Sequence, residues 1–148
     1  MTRFLDANVF IYAYYKPKGA LSEEQKRMKE QAKKIIRRVN EGEEVVTTVV
    51  HLSEVANILK RGLPTRDLHA LLLSLCSMDN VKVVGVTKED YMEAIDMMKD
   101  IGLDPNDCLA VKIMRMERIE EIYSFDKAFD NVEGVRRATL QLENSSDT

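Results

Sequence analysis

Two carboxylates fall immediately after short apolar runs. Asp6 follows Arg3-Phe4-Leu5, and Asp126 follows Ile122-Tyr123-Ser124-Phe125. A third, Glu54, stands just beyond the β-branched run from Val45 to Val50, and Asp104 and Asp107 flank Pro105-Asn106 where another periodic segment begins. Carboxylates that share a small volume repel one another and partly protonate unless a cation sits among them. An all-oxygen donor set selects hard Mg²⁺ or Mn²⁺ over zinc. One or two such ions, held on Asp and Glu, activate water and offset the charge that builds on a phosphodiester. The chemistry on offer is metal-assisted phosphodiester hydrolysis, provided the fold gathers these residues.

Each acid also has a purely structural role open to it. Asp6, followed by Asn8, can cap a helix starting near Val9, and Asp104 is a natural N-cap with Asp107 three residues on. Glu54 can be a solvated helix residue, and Asp126 can open a turn continued by Asp130. Other chemistries are poorly represented. There is no Gly-x-x-x-x-Gly-Lys loop and no Gly-x-Gly-x-x-Gly, and Ser22, Ser53 and Ser124 lack a nucleophile elbow. His51 and His69 are isolated and read as ordinary polar or half-buried residues. Cys76 and Cys108 lie among apolar neighbours without ligand spacing, which predicts two buried thiols in a reducing cytoplasm.

The elements that must position the acids alternate between strand and helix. Residues 3–5 form a short strand ended by Asp6. Met28, Ala32, Ile35, Ile36 and Val39 recur at helical spacing over 21–40, with Ser22 as N-cap. Val45 to Val50 reads as a strand covered on both faces. Leu52, Val55, Ala56 and Leu59 give the next helix, and Thr65 opens another through Leu68, Leu71, Leu72 and Leu75. Val81 to Val86 is a third strand, and Thr87 with Asp90 resembles a capping box before Tyr91, Ile95 and Met98. Asp104 and Pro105 open a helix to about Arg118, residues 121–125 form a fourth strand, and residues 135–140 a weak fifth. Such alternation implies a parallel sheet with helices on both faces. Ligands in such sheets bind beyond the carboxyl ends of the strands, where the winding reverses, and Asp6, Glu54, Asp107 and Asp126 all fall at that edge.

The composition fits one domain. The chain has 148 residues, with 22 Lys+Arg against 25 Asp+Glu, 45% apolar and 32% charged residues, a globular balance. Residues 1–142 are expected to form a single domain and 143–148 a polar tail. No apolar run is long enough to span a bilayer, and the carboxylate at position 6 argues against a signal peptide. The near-neutral total hides an asymmetry: nine bases against three acids from Lys16 to Arg38, and seven acids against one base from Glu89 to Asp107. The basic helix, with Lys26, Lys33, Lys34 and Arg37, is a candidate RNA guide, although a charge run also serves simply as a solvated face.

Four segments, in this order and spacing, resemble the four acidic motifs of PIN-domain nucleases. They are Asp6-Ala7-Asn8-Val9-Phe10-Ile11-Tyr12, Ser53-Glu54-Val55, Asp107-Cys108-Leu109-Ala110-Val111 and Ser124-Phe125-Asp126-Lys127-Ala128-Phe129. The resemblance runs from residue 4 to about residue 130. It implies a three-layer α/β/α sandwich with a central, mostly parallel sheet of about five strands. It also implies a divalent-metal-dependent ribonuclease whose Asp6, Glu54, Asp107 and Asp126 ligate Mg²⁺ or Mn²⁺, with Asn8 and Ser124 supporting the site. The small size looks most like the VapC toxins of toxin–antitoxin pairs, which implies RNA as substrate, a cognate antitoxin as partner, a homodimer and a cytoplasmic location. Asp104 departs from the family pattern, in which a small polar residue is common, so this acid either joins the site or only caps its helix.

Three other readings compete. An aspartyl-phosphate phosphatase would use Asp6 as nucleophile, but needs an acid two positions on, where Asn8 cannot transfer a proton. A PIN nuclease that processes RNA outside a toxin system has the same site. A non-catalytic PIN-like module that only binds RNA or protein commonly loses ligand carboxylates, whereas all four are present here.

Overall fold

The computed structural model describes residues 1–15 and 18–138. The tail expected over 143–148, the boundary at 142 and the last residues of the expected fifth strand lie outside the described residues. β1 (Arg3–Leu5) leads into α1 (Ala7–Tyr14) and α2 (Glu23–Asn40), then β2 (Val45–Thr48), α3 (Val49–Leu59) and α4 (Thr65–Ser77). β3 (Val81–Val84), α5 (Lys88–Ile101), α6 (Pro105–Glu117), β4 (Glu121–Tyr123), a 3-10 turn (Lys127–Asn131) and β5 (Arg136–Arg137) complete the order. The five strands form one sheet in the order β3-β2-β1-β4-β5, and every pairing is parallel.

The order explains the layers. The chain steps from β1 to β2 to β3 in one direction, then returns across the sheet to β4 on the far side of β1. Right-handed crossovers therefore place α1 to α4 on one face and α5 and α6 on the other. The core divides accordingly. Leu5, Val45 and Tyr123 pack with residues of α1 to α4, while Phe4, Val46 and Ile122 pack with α5 and α6. Successive strand residues point to opposite faces, and both faces are covered, so β1, β2 and β4 each bury apolar side chains on both sides of the sheet. The winding reverses between β1 and β4, directly below Asp6 and Asp126.

The amino edge is pinned by a network on Arg3. Its Nε donates to Glu121 at 2.7 Å, and its Nη1 donates to Tyr123 Oη at 2.7 Å and Glu43 at 3.2 Å. The Tyr123 hydroxyl donates to Glu43 at 2.5 Å. Burial, reinforced by Glu43, pushes Tyr123 up to about 12. These bonds join β1, β4 and the loop before β2 at the end away from Asp6.

Several helix starts follow their predicted caps. Ser22 and Gln25 form a capping box before α2, as do Thr87 and Asp90 before α5, and Pro105 occupies the first position of α6. The second strand differs from expectation, ending at Thr48 rather than Val50. Thr48 Oγ1 accepts the N–H of Val50 and of His51, both at 3.1 Å, which caps α3 and draws the two valines into its first turn. Val49 is consequently exposed. β3 and β4 each stop two residues short of the expected range. Cys76 corrects the expectation of two buried thiols: it is exposed on α4, while Cys108 is buried. His51 is fully buried rather than half-buried. Among the described residues no helix is long and apolar enough to cross a membrane.

Candidate active site

Ser124, just beyond β4, ties the first and last motifs together. Its hydroxyl donates to Asp6 Oδ2 at 2.6 Å and accepts from Asn8 Nδ2 at 3.3 Å and from the Asp126 backbone N–H at 3.0 Å. A hydroxyl has one proton and two lone pairs, so this one is fully used. Asn8 Oδ1 accepts the Phe125 N–H at 3.3 Å, which adds a second strap between α1 and the end of β4. Asp6 Oδ1 also accepts the Ala7 N–H at 2.8 Å. The capping role open to Asp6 and its place among the other acids therefore hold together.

Asp126 caps the 3-10 turn, accepting the Ala128 N–H at 2.9 Å. Asp104 caps α6, accepting the Asp107 N–H at 2.8 Å. Asp107 differs, because its carboxylate enters no hydrogen bond among the described residues. Burial is the largest influence on it, and Asp6, Asp104, Asp126 and Glu54 all push in the same direction, raising it to about 8. After burial, the largest influences on Asp107 are thus all other carboxylates.

Asp6, only 5% exposed, is raised to about 6. Burial dominates, Glu54 and Asp126 add to it, and the bonds from Ser124 and Ala7 oppose it. Glu54 on α3 is half-buried and also raised, first by burial and then by Asp104, with the side chain of Asn106 offsetting part of this. The five acids thus act on one another at the carboxyl edge. Among the described residues no three of these potential ligands are drawn up around a single point. The donor set is all oxygen and the local charge strongly negative, which suits a hard divalent cation. Asp6, Glu54, Asp107 and Asp126 are the acids marked by the sequence that bear on one another there.

The expected RNA-guiding residues lie elsewhere. Lys33, Lys34 and Arg37 occupy the half of α2 that runs down to the amino end of β2, and Lys26 pairs with Glu23 at 3.6 Å within its own helix.

Two residues not singled out from the sequence stand close to the acids. Asn106 Oδ1 accepts from the Tyr91 hydroxyl at 2.6 Å, and its amide N–H₂ faces Glu54. The position of Asn106 between Asp104 and Asp107 was its one sequence signal; Tyr91 had none. Behind them, the Thr48 hydroxyl already accepts two N–H groups, so its proton goes to His51 Nδ1 at 2.7 Å. That leaves the neutral ring protonated at Nε2. Nε2 meets no acceptor at hydrogen-bond distance, and the backbone of Asn106 is the polar group that bears on it. The ring packs edge-on to Phe4, and burial holds His51 down at about 4.

Solved structures with the same fold include those of two proteins. VapC20 of Mycobacterium tuberculosis, described as a sarcin–ricin loop cleaving toxin, superposes with a TM-score of 0.64 at 18% identity, covering 86% of this chain and 91% of that one. VapBC2 of Rickettsia felis, solved bound to a DNA fragment from its promoter, gives 0.60 at 12% identity, covering 93% of this chain and 98% of that one. No curated protein sequence gives a significant match. The family model of the PIN domain matches residues 3–135, a span that includes all four acidic motifs, and the chain belongs to the PIN domain family.

Proposed function

We propose that this protein is a divalent-cation-dependent endoribonuclease, the toxin of a toxin–antitoxin pair. The observation that carries the nuclease reading is Asp107, a half-buried carboxylate with no hydrogen-bond partner among the described residues, facing four other acids. A packed fold tolerates such a group where a cation relieves it. A bound Mg²⁺ or Mn²⁺ would supply positive charge for the scissile phosphate and lower the pKa of water. The chain's own residues do the rest. Asp6, Glu54, Asp107 and Asp126 present carboxylate oxygens, and Ser124 and Asn8 fix Asp6 and the turn that carries Asp126. In-line attack by water leaves a 5′-phosphate and a 3′-hydroxyl. The fold shared with VapC20 and VapBC2 supports the toxin reading and, with it, a cognate antitoxin, a homodimer and a cytoplasmic setting.

The test uses purified protein and a pool of single-stranded and hairpin RNAs. Cleavage is expected with Mg²⁺ or Mn²⁺, and EDTA should stop it. Asp6→Asn and Asp107→Asn should each abolish cutting while circular dichroism stays unchanged. Full activity in either variant removes that residue from the reaction.

A further inference from the structure

A cavity of about 500 Å³ opens beside the acids, between α3, the loop after β3 and the starts of α5 and α6. Its wall includes Glu54, so whatever fills it lies against one carboxylate of the site. The lining also carries Ser53, Asn57, Lys88, Tyr91 and Asn106. We propose that this cavity is a nucleotide subsite, which takes one nucleotide of a single-stranded RNA next to the scissile phosphate. The proposal rests on the nuclease reading and adds the residues that select the substrate.

Size, charge and chemistry agree. Small-molecule sites occupy about 300–1,000 Å³ and combine apolar walls with a few placed polar groups. Here Val50 and Val86 supply apolar wall. Lys88 is the one cation of the lining, and it forms no ion pair among the described residues. Beside a cluster of carboxylates that repels a polyanion, a single positive charge is where a phosphate of the approaching strand is held. Asn57 is exposed and enters no hydrogen bond among the described residues, so its amide offers both a donor and an acceptor to a base edge. Single-stranded RNA is read in this way, by stacking on aromatic rings and hydrogen bonding along exposed edges. Tyr91 supplies the ring, and its hydroxyl is held by Asn106 at 2.6 Å. Asn106 also faces Glu54, so one side chain stands against both the wall of the cavity and a carboxylate of the site.

Two measurements test this. In the first, a randomised single-stranded RNA pool is cut with Mn²⁺ and the new ends are sequenced. Asn57→Ala should flatten the base preference at one position beside the cut by about tenfold. Lys88→Ala should raise KM and reduce the slope of log KM against log salt by about 0.7. Both side chains are exposed, so the variants should fold. In the second, AMP, GMP, CMP and UMP are titrated into metal-free protein by NMR. Shifts should gather at the Asn57 side chain and at residues 87–91, and weaken in Lys88→Glu. Active variants with unchanged preference and salt slope would overturn the subsite while leaving the nuclease reading intact. If the wild type cuts no RNA, the nuclease reading fails and the titration decides alone. Shifts confined to the cavity would then uphold nucleotide binding, and their absence would overturn it.

Discussion

At the scale of single residues, the acids of the site make metal-free stability depend on pH in a definite direction. Asp107 is held up at about 8 and Asp6 at about 6, against about 3.9 for an unfolded aspartate. A group raised on folding contributes stability that is complete below its unfolded pKa and is lost as pH rises through its folded one. Buried His51 runs the other way. Burial lowers it to about 4, so its contribution is present above about 6.5 and lost as pH falls towards 4. The two effects oppose each other below about pH 6.5, and above it only the carboxylates remain. In EDTA, the melting temperature should therefore fall between pH 6.5 and 9, and Asp107→Asn should flatten that fall. A wild-type curve that rises over this range would show that the acids do not repel one another as their placement implies. Asp104 separates cap from ligand. Asp104→Ser keeps an N-cap, so stability should change by less than about 1 kcal/mol. It also removes one of the charges acting on Asp107, so the alkaline fall should move to lower pH. RNA cleavage should largely survive; complete loss would make Asp104 a ligand.

At the scale of elements, what could be read from the sequence was periodicity and capping chemistry. α2, α5 and α6 begin where Ser22, Thr87 and Asp104 said they would, because a short polar side chain that satisfies helix N–H groups is a local device. The end of β2 was not legible in the same way. Val49 and Val50 are as β-branched as the strand before them, and only the Thr48 hydroxyl, turned back onto two backbone N–H groups, decides that the helix has started. That hydroxyl serves His51 as well, so Thr48→Val, nearly equal in shape, should cost about 1–3 kcal/mol in urea unfolding. A cost near zero would mean that the cap and the histidine contact are dispensable. The burial of His51 was hidden for a related reason. A lone histidine gives no periodic signal, and its place under Phe4 and beside α6 depends on a crossover that brings distant segments together.

At the scale of the whole molecule, four carboxylates spread over 121 positions, from Asp6 to Asp126, meet at one edge because the winding of the sheet reverses there. Strand order could not be read from periodicity, but an edge common to every parallel strand end could, which is why the acids were legible as a group while Tyr91 and Asn106 were not. Cys76 misled because apolar neighbours in sequence do not say which side of a helix faces the core. A cation that binds only the folded protein should raise its stability by RT ln(1 + [L]/Kd), about 2.7 kcal/mol at a hundredfold excess over Kd. For a domain of this size the melting temperature should rise by roughly 5–10 °C. Asp126→Asn should shrink that rise under millimolar Mn²⁺ while raising the melting temperature in EDTA. If the variant is instead less stable with and without metal, Asp126 serves only its 3-10 turn.

The three bonds on the Ser124 hydroxyl carry a consequence for timing. Ser124, which donates to Asp6, lies 118 positions further along the chain, and ribosomes deliver the chain from its amino end. A nascent polypeptide that has reached α6 already contains Asp6, Glu54 and Asp107, yet β1 still lacks its neighbour β4 and Asp6 its proton donor. The centre closes only when the last tenth or so of the domain has emerged and docked against its first strand. On the proposed ribonuclease reading, late closure keeps the unfinished chain from cutting the RNA template it is being made from.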